Sequence, residues 1–207
     1  MSVFNKLLMA NAMKQSPYSR IEYLETDGDN YIDTLIKPIP ADMGLILDFS
    51  ILEDQTQNGG FLGCRVSSTF DGSTDCSILA LQSSTSGQIN LQMDGTCDGT
   101  VSSEPLQVGT RYSLLWENNM ILLDGETYTR LLDKSESPLD YSIYLGTTNT
   151  RDIPEVPGCA IRIYSCIIYD GEGNILRDYI PVTNNSTSAN GLWDRHTGSF
   201  YGLTSIN

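Results

Sequence analysis

Apolar and polar residues alternate along most of this chain with the two-residue period of β-strands. The run 45–52 shows the pattern, because one face is apolar throughout and the other carries Asp48 and Ser50; the apolar face consists of Leu45, Leu47, Phe49 and Ile51. Such a run predicts a strand that is buried on one side. The run 160–169 is apolar on nearly both faces, so we expect it to lie in the centre of a sheet.

Thirteen short runs of this kind predict a protein built mainly of strands. Asn-Gly and Asp-Gly pairs separate many of them, for example Asp27-Gly28 and Asn190-Gly191, and indicate tight turns. The predicted strands are 20–24, 31–34, 45–52, 61–66, 77–82, 88–93, 111–117, 120–123, 127–131, 142–145, 160–169, 175–180 and 199–201. Because thirteen strands exceed the seven of an immunoglobulin-type domain, a larger all-β sandwich or barrel is predicted.

The first 17 residues follow a different pattern. Phe4, Leu7 and Leu8 recur at helical spacing, and Pro17 ends the stretch, which predicts a short N-terminal helical arm (1–17) ahead of one domain (18–207). A helix of about three turns is marginal alone in water. Two interpretations stay open: the arm is a frayed or self-docked terminus, or it docks onto a partner chain through Phe4, Leu7 and Leu8.

Charge separates the same two regions and limits the partners. Residues 1–20 carry three basic residues and no acidic one, whereas the whole chain has 12 basic and 26 acidic side chains and a net charge of −14. The remaining residues therefore hold 9 basic and 26 acidic side chains, or −17. A charge of this sign opposes binding to nucleic acid and to anionic membranes. No run approaches the roughly 18 apolar residues that span a bilayer.

The five cysteines do not suggest a metal site. They are widely scattered, there is no Cys-x-x-Cys pair, and His196 is the single histidine; the cysteines are Cys64, Cys76, Cys97, Cys159 and Cys166. Zinc sites need such ligands at close spacing. We interpret the cysteines mostly as buried thiols.

Segments at both ends of the predicted domain resemble a known family. Residues 21–34 (IEYLETDGDNYIDT) are similar to the opening strands of concanavalin A-like lectin/glucanase domains of the laminin-G-like type, which occur in gut bacteria and their phages. The closing segments 160–166 (AIRIYSC), 168–170 (IYD), 176–181 (LRDYIP) and 191–195 (GLWDR), with Gly198 to Gly202, resemble the C-terminal signature of the same family. The resemblance implies a jelly-roll sandwich of two antiparallel sheets over residues 20–202, with its first and last strands paired.

The resemblance and the arm together suggest a function. We expect a non-enzymatic structural or decoration protein of a phage virion, such as a head fibre, capsid decoration or tail appendage, assembled in the host cytoplasm and oligomeric through other virion proteins. Its lectin-like domain would bind host or environmental glycans. The alternative is a free bacterial carbohydrate-binding module or a degenerate glycoside hydrolase domain, in the cytoplasm or at the cell surface.

The expectation that the protein is not an enzyme rests on missing motifs. Glucanases of the resembled superfamily place paired carboxylates on one strand as Glu-x-Asp-x-Glu, which is absent here, and such pairs are needed for glycoside hydrolysis by the usual mechanism. His196 is the single candidate for an imidazole base, and it lies in a predicted turn. No catalytic residue is therefore predicted.

The residue types suggest two kinds of candidate binding site, one for calcium and one for a sugar. Asp27, Asp29, Asn30 and Asp33 are close enough in sequence to suggest a calcium site, although they lack EF-hand spacing. Sugar binding needs an exposed aromatic ring beside polar groups, and the candidates by residue type are Trp116, Trp193, Tyr31 and Tyr201. We interpret the two tryptophans as core residues. No cofactor and no particular glycan-binding residue is predicted.

Overall fold

The described part of the chain is made of β-strands. The computed structural model describes residues 16–53, 59–66, 76–82, 89–93, 106–117, 120–124, 126–129 and 136–206. Every regular secondary-structure element in these ranges is a β-strand, which confirms the predicted all-β class. Within the same ranges we find no helix of the length and apolar character that a bilayer crossing requires.

Eighteen strands are found in these ranges. They are β1 (Tyr18–Arg20), β2 (Leu24–Asp27), β3 (Asn30–Asp33), β4 (Met43–Ile51), β5 (Gly59–Arg65), β6 (Cys76–Gln82), β7 (Ile89–Met93), β8 (Arg111–Glu117), β9 (Met120–Leu123), β10 (Glu126–Thr129), β11 (Tyr144–Leu145), β12 (Asn149–Thr150), β13 (Ile153–Pro154), β14 (Ala160–Asp170), β15 (Ile175–Asn184), β16 (Asn190–Asp194), β17 (Ser199–Gly202) and β18 (Thr204–Ser205). Most predicted runs lie within two residues of one of these strands.

The larger of two sheets is organised around β14. Its order is β10-β9-β8-β4-β14-β15-β16-β17, and β1 and β2 pair with β15 and β14. Strand β14 is antiparallel to β4, β15 and β2. The apolar run 160–169 is therefore central, as its pattern predicts.

The smaller sheet departs in one respect from the predicted antiparallel arrangement. Its order is β13-β12-β5-β11-β3-β18, with β6 joining β5 to β7. Strand β12 runs parallel to β5, with Asn149 opposite Cys64. A strand of two residues between sharp turns has no periodicity of its own, so the alternation pattern could not reveal this pairing.

The two sheets pack face to face around one apolar core, which is the arrangement of a β-sandwich. The inward side chains of β4 meet those of β5, and the rings of Phe49 and Phe61 lie 4.7 Å apart in an edge-to-face contact. Both rings are completely buried. The alternation read in residues 45–52 is thus confirmed, with Leu45, Leu47, Phe49 and Ile51 all in the core.

The first and last parts of the domain lie together. Strand β1 pairs with β15, and β18 pairs with β3. The ring of Tyr18 lies 4.4 Å from that of Trp193 and stacks on Phe200 at 5.5 Å. The predicted closeness of the two ends is therefore confirmed.

Two details differ from the sequence interpretation, and two predictions stay untested. The predicted run 20–24 is divided between β1 and β2. The predicted turn at Asn190-Gly191 is the start of β16, where Gly191 leaves room for the ring of Phe200: a Cβ on this glycine would lie 2.6 Å from Cζ of Phe200. The predicted helical arm, residues 1–17, falls almost entirely outside the described residues, and the jelly-roll order of the strands stays a prediction.

Candidate functional site

The outer surface of the larger sheet carries a cluster of aromatic and charged side chains that belongs to neither core nor turn. In β4, Asp48 and Ser50 alternate with core residues and therefore point away from the smaller sheet. Strands β8 and β14 flank β4, and β2 pairs with β14. We call this cluster the arginine–tyrosine face; it consists of Tyr23, Glu25, Asp48, Arg111, Arg162 and Tyr164.

Tyr164 lies at a β-bulge in β14. The register between β14 and β4 passes from Ile163 opposite Phe49 to Ser165 opposite Asp48, so that Tyr164 is an extra residue. Bulges redirect a side chain locally and are frequent near functional sites. The Tyr164 hydroxyl lies 3.4 Å from Oγ of Ser50, which is fully buried beneath the face.

Arg111 on β8 is held in place from two sides. Its Nε donates a 2.7 Å hydrogen bond to Oδ1 of Asp48, and its Nη2 donates to Oδ2 of the same carboxylate. The guanidinium also lies over the ring of Tyr164, 4.2 Å from the ring centre. The hydrogen bond to Asp48 raises the pKa of Arg111, assisted by the negative charge of that carboxylate and of Glu22.

Arg162 on β14 repeats the arrangement with a second tyrosine. Its Nε donates a 2.9 Å hydrogen bond to Oε1 of Glu25, and its guanidinium lies 4.3 Å from the centre of the Tyr23 ring. The hydrogen bond to Glu25 raises the pKa of Arg162. The rings of Tyr23 and Tyr164 meet edge to face at 5.9 Å, which joins the two halves.

The resulting surface has the chemistry that sugar recognition requires. Tyr23 and Tyr164 are half-buried, so part of each ring is available to an apolar sugar surface. Guanidinium groups offer donors only, carboxylates offer acceptors, and hydroxyls offer both. Because the carboxylates and stacked rings hold the arginines in one geometry, their donors are preorganised for a ligand.

Of the four predicted aromatic candidates, the structure places the tryptophans in different environments. Trp116 is 2% exposed and belongs to the core, as interpreted from the sequence. Trp193 is half-buried rather than in the core, and it contacts Tyr18 on the outer side of β16.

The two candidate tyrosines lie away from the arginine–tyrosine face. Tyr31 stacks on Tyr144 of the smaller sheet, with ring centres 4.3 Å apart. Tyr201 contacts Tyr179 edge to face at 5.2 Å. Tyr201 has a looser arginine and carboxylate beside it, since Arg177 lies 5.7 Å from its ring centre and 3.8 Å from Oδ2 of Asp194.

Two of the four predicted calcium residues, Asp27 and Asp33, accept hydrogen bonds from the protein, whereas Oδ1 of Asn30 is buried without a hydrogen-bond partner in the described part of the chain. Oδ1 of Asp27 accepts a 3.0 Å hydrogen bond from the backbone nitrogen of Asp29. Oδ1 of Asp33 accepts hydrogen bonds from the backbone nitrogen of Leu35 and from Ser142 Oγ. Within the described ranges, no three histidine, cysteine, aspartate or glutamate side chains are close enough to hold a metal ion.

The remaining sequence candidates do not form a second site in the described ranges. Cys159 and Cys166 are fully buried, and burial raises the pKa of both thiols. The backbone nitrogen of His196 donates to Oδ1 of Asp194, while the residue itself is exposed. The predicted docking residues Phe4, Leu7 and Leu8 lie outside the described residues, so partner docking and the virion role stay predictions.

Comparison with known proteins identifies a shared fold. No protein-family model matches the chain, and no curated protein matches it. Among solved structures, a mutant Trypanosoma rangeli sialidase displaying trans-sialidase activity aligns with a TM-score of 0.51 at 11% identity, over 78% of this chain and 27% of that chain. The Trypanosoma rangeli sialidase in complex with sialic acid gives a TM-score of 0.49 at 11% identity, with the same coverage.

These matches correct one expectation from the sequence. The chain spans about a quarter of the sialidase chains, and at this identity the first match shows a likeness of fold. The prediction that the protein is not an enzyme is contradicted, because the likeness to the mutant sialidase points to a glycosidase-like fold. The prediction relied on a missing carboxylate pair, and that absence is not decisive, because some glycoside hydrolases act without such a pair.

The arginine–tyrosine face itself was missed by sequence reasoning. Its members lie in β2, β4, β8 and β14, with Tyr23 just before β2, and only the order of these strands in the sheet makes them neighbours. One signal was present: Arg162 and Tyr164 interrupt an otherwise apolar central strand. A charged and an aromatic residue two positions apart in such a strand share an outward face.

Proposed function

We propose that this chain is a carbohydrate-binding β-sandwich and that the arginine–tyrosine face is its sugar contact. The observation that carries the proposal is the pair of arginine guanidinium groups stacked on Tyr164 and Tyr23, at 4.2 and 4.3 Å from the ring centres. The stack presents aromatic surface, fixed donors and fixed acceptors on one open sheet face. A sugar offers complementary groups, since its hydroxyls donate and accept and its C–H surfaces pack on rings.

Two further observations support a glycan in preference to other partners. The net charge of −14 opposes polyanions such as nucleic acid. The fold resembles part of the chain of a sialidase, which is a carbohydrate-active enzyme. Together with the end segments 21–34 and 160–166, this favours a concanavalin A-like sandwich as the narrower assignment, within the same proposal.

The proposal is tested by removing one ring from the face and one from elsewhere. Tyr164→Ala deletes the ring between Arg111 and Tyr23. Tyr31→Ala is the matched control, because Tyr31 is also half-buried and also contacts a second tyrosine, Tyr144, but lies on the smaller sheet. Wild-type and both variants are first compared by circular dichroism to establish that each is folded.

Binding is then measured on a glycan microarray and the strongest signal is followed by calorimetry. Loss of stacking against one ring is worth about 1.4 kcal/mol or more, which is a tenfold loss of affinity. We expect Tyr164→Ala to lose at least this factor and Tyr31→Ala to retain wild-type affinity. If Tyr31→Ala loses binding and Tyr164→Ala does not, the sugar site is on the smaller sheet and the proposal is wrong.

A further inference from the structure

We propose that the arginine–tyrosine face selects neutral sugars with adjacent hydroxyl groups and discriminates against acidic sugars. This inference rests on the proposed function and names the ligand class of the same face. It is carried by the way each arginine is already occupied. An arginine that serves an acidic ligand must offer its guanidinium to the ligand carboxylate, and here Asp48 occupies two nitrogens of Arg111 and Glu25 occupies Nε of Arg162.

Arg111 shows this most clearly. Its Nε and Nη2 donate to the two oxygens of Asp48, so the fork of donors that would receive a ligand carboxylate is filled. The guanidinium also lies over Tyr164, and Asp48 leaves only its other N–H groups for a ligand. An acidic sugar that took the same fork would have to displace Asp48, which would leave that carboxylate beside a second negative charge.

The charge around the face points in the same direction. Arg111 and Arg162 contribute two positive charges, while Asp48, Glu25 and Glu22 contribute three negative charges, which gives a formal sum of −1. The chain as a whole carries −14. Neither the local nor the overall field therefore attracts an anion.

A pair of adjacent hydroxyls fits the same groups without displacing any of them. A carboxylate oxygen that accepts one hydrogen bond retains a second lone pair for a sugar hydroxyl. The neighbouring hydroxyl can accept from a guanidinium N–H, since each guanidinium has five. Each arginine–carboxylate pair thus presents one acceptor and one donor side by side, and the tyrosine rings are available to the sugar C–H surface.

The experiment compares neutral with acidic probes on wild-type protein and on Asp48→Asn. The neutral probes are immobilised galactan, mannan and β-glucan; the acidic probes are polygalacturonate, hyaluronate and 3′-sialyllactose. The control is Asp178→Asn, because Asp178 pairs with Arg195 at 2.8 Å outside the face. Side-chain exposures there are 54% for the arginine and 18% for the aspartate, against 56% and 24% for Arg111 and Asp48.

We expect wild-type protein to bind at least one neutral probe ten times more tightly than any acidic probe. Asp48→Asn should weaken that neutral binding at least fivefold and reduce the preference for neutral over acidic probes, because it removes the carboxylate that occupies Arg111, and Asp178→Asn should change neither. Tighter wild-type binding to an acidic probe, or an Asp48→Asn variant that keeps the wild-type preference, overturns the inference and leaves the proposed function intact. Wild-type binding to none of the six probes overturns the inference and counts against the proposed function as well.

Discussion

Asp194 is the buried charge on which the C-terminal part of the larger sheet depends. Its side chain is completely buried. Oδ1 accepts hydrogen bonds from the backbone nitrogens of Asp178 at 2.9 Å and His196 at 3.0 Å, and Oδ2 accepts one from Thr197 Oγ1 at 2.6 Å. Arg177 Nε lies 3.8 Å from Oδ2. One carboxylate thus connects β15, β16 and the turn that leads into β17.

Replacing Asp194 with Asn keeps the shape and removes the charge. A hydrogen bond to a charged group contributes about 1.5–3 kcal/mol and a neutral one about 0.5–1.5 kcal/mol, so each of three bonds loses roughly 1 kcal/mol. The amide nitrogen of Asn, which is itself a donor, would also take the place of Oδ2, which now accepts a hydrogen bond from Thr197. We therefore expect Asp194→Asn to lower the free energy of unfolding by about 2–4 kcal/mol. At ~2–4 °C per kcal/mol for a chain of this size, the melting temperature should fall by about 4–16 °C.

The pH dependence gives this prediction a second readout. Burial alone would raise the pKa of Asp194, but the hydrogen bonds from Thr197, Asp178 and His196 and the charge of Arg177 outweigh it, so the pKa is lowered. A group whose folded pKa lies below its unfolded value of about 3.9 stabilises the protein above that pH. The contribution is lost as the pH falls through the folded pKa. The difference between wild type and Asp194→Asn should therefore be full at pH 7 and shrink below pH 4.

Urea unfolding followed by tryptophan fluorescence measures both effects. Asp140→Asn serves as the control, because Asp140 is exposed and should change stability by less than about 0.5 kcal/mol. An Asp194→Asn variant as stable as wild type at pH 7 would refute the reasoning. So would a stability difference that is equally large at pH 7 and pH 3.

Three further predictions follow from the fold. Phe49→Ala empties a fully buried position between the sheets and should cost about 3–5 kcal/mol in urea unfolding; a cost below 1 kcal/mol would contradict the packing described. Gly60→Ala places a Cβ 2.6 Å from the backbone nitrogen of Thr148 and should cost about 1–3 kcal/mol, whereas Gly202→Ala, with its nearest atom at 3.6 Å, should be nearly neutral. Deleting residues 1–15 should leave the melting temperature unchanged and abolish self-association in analytical ultracentrifugation; an equally associated truncated protein would count against the predicted docking arm.

The alternation of apolar and polar residues predicts where strands lie, but it does not predict which strands pair. The run 111–117 matches β8 residue for residue, because its alternation and its flanking turn residues are both local. The split between β1 and β2 was missed, since the residues between them keep a strand-like composition. Asn190-Gly191 was read as a turn, because the dipeptide has turn chemistry and the ring that occupies the space above Gly191 belongs to a different strand.

The candidate site shows the same limit at a larger scale. Asp48 was read correctly as an outward residue of a half-buried strand. Its partner Arg111 is 63 residues away in the chain, and no period in either strand indicates that the two pair. Which strands become neighbours is decided by packing across the whole sheet, and with it the identity of every contact on the arginine–tyrosine face.

The central position of β14 also determines when this protein can fold as it is made. Strands β2 and β4 precede their common partner by more than a hundred residues, since β14 begins at Ala160. At roughly 5–20 residues per second, a ribosome needs about 5–25 s to synthesise the intervening chain. During that time the β14-facing edge of β4 has no native partner, and non-local pairing of this kind folds slowly. The nascent chain is therefore most exposed to edge-to-edge aggregation before residue 170 emerges.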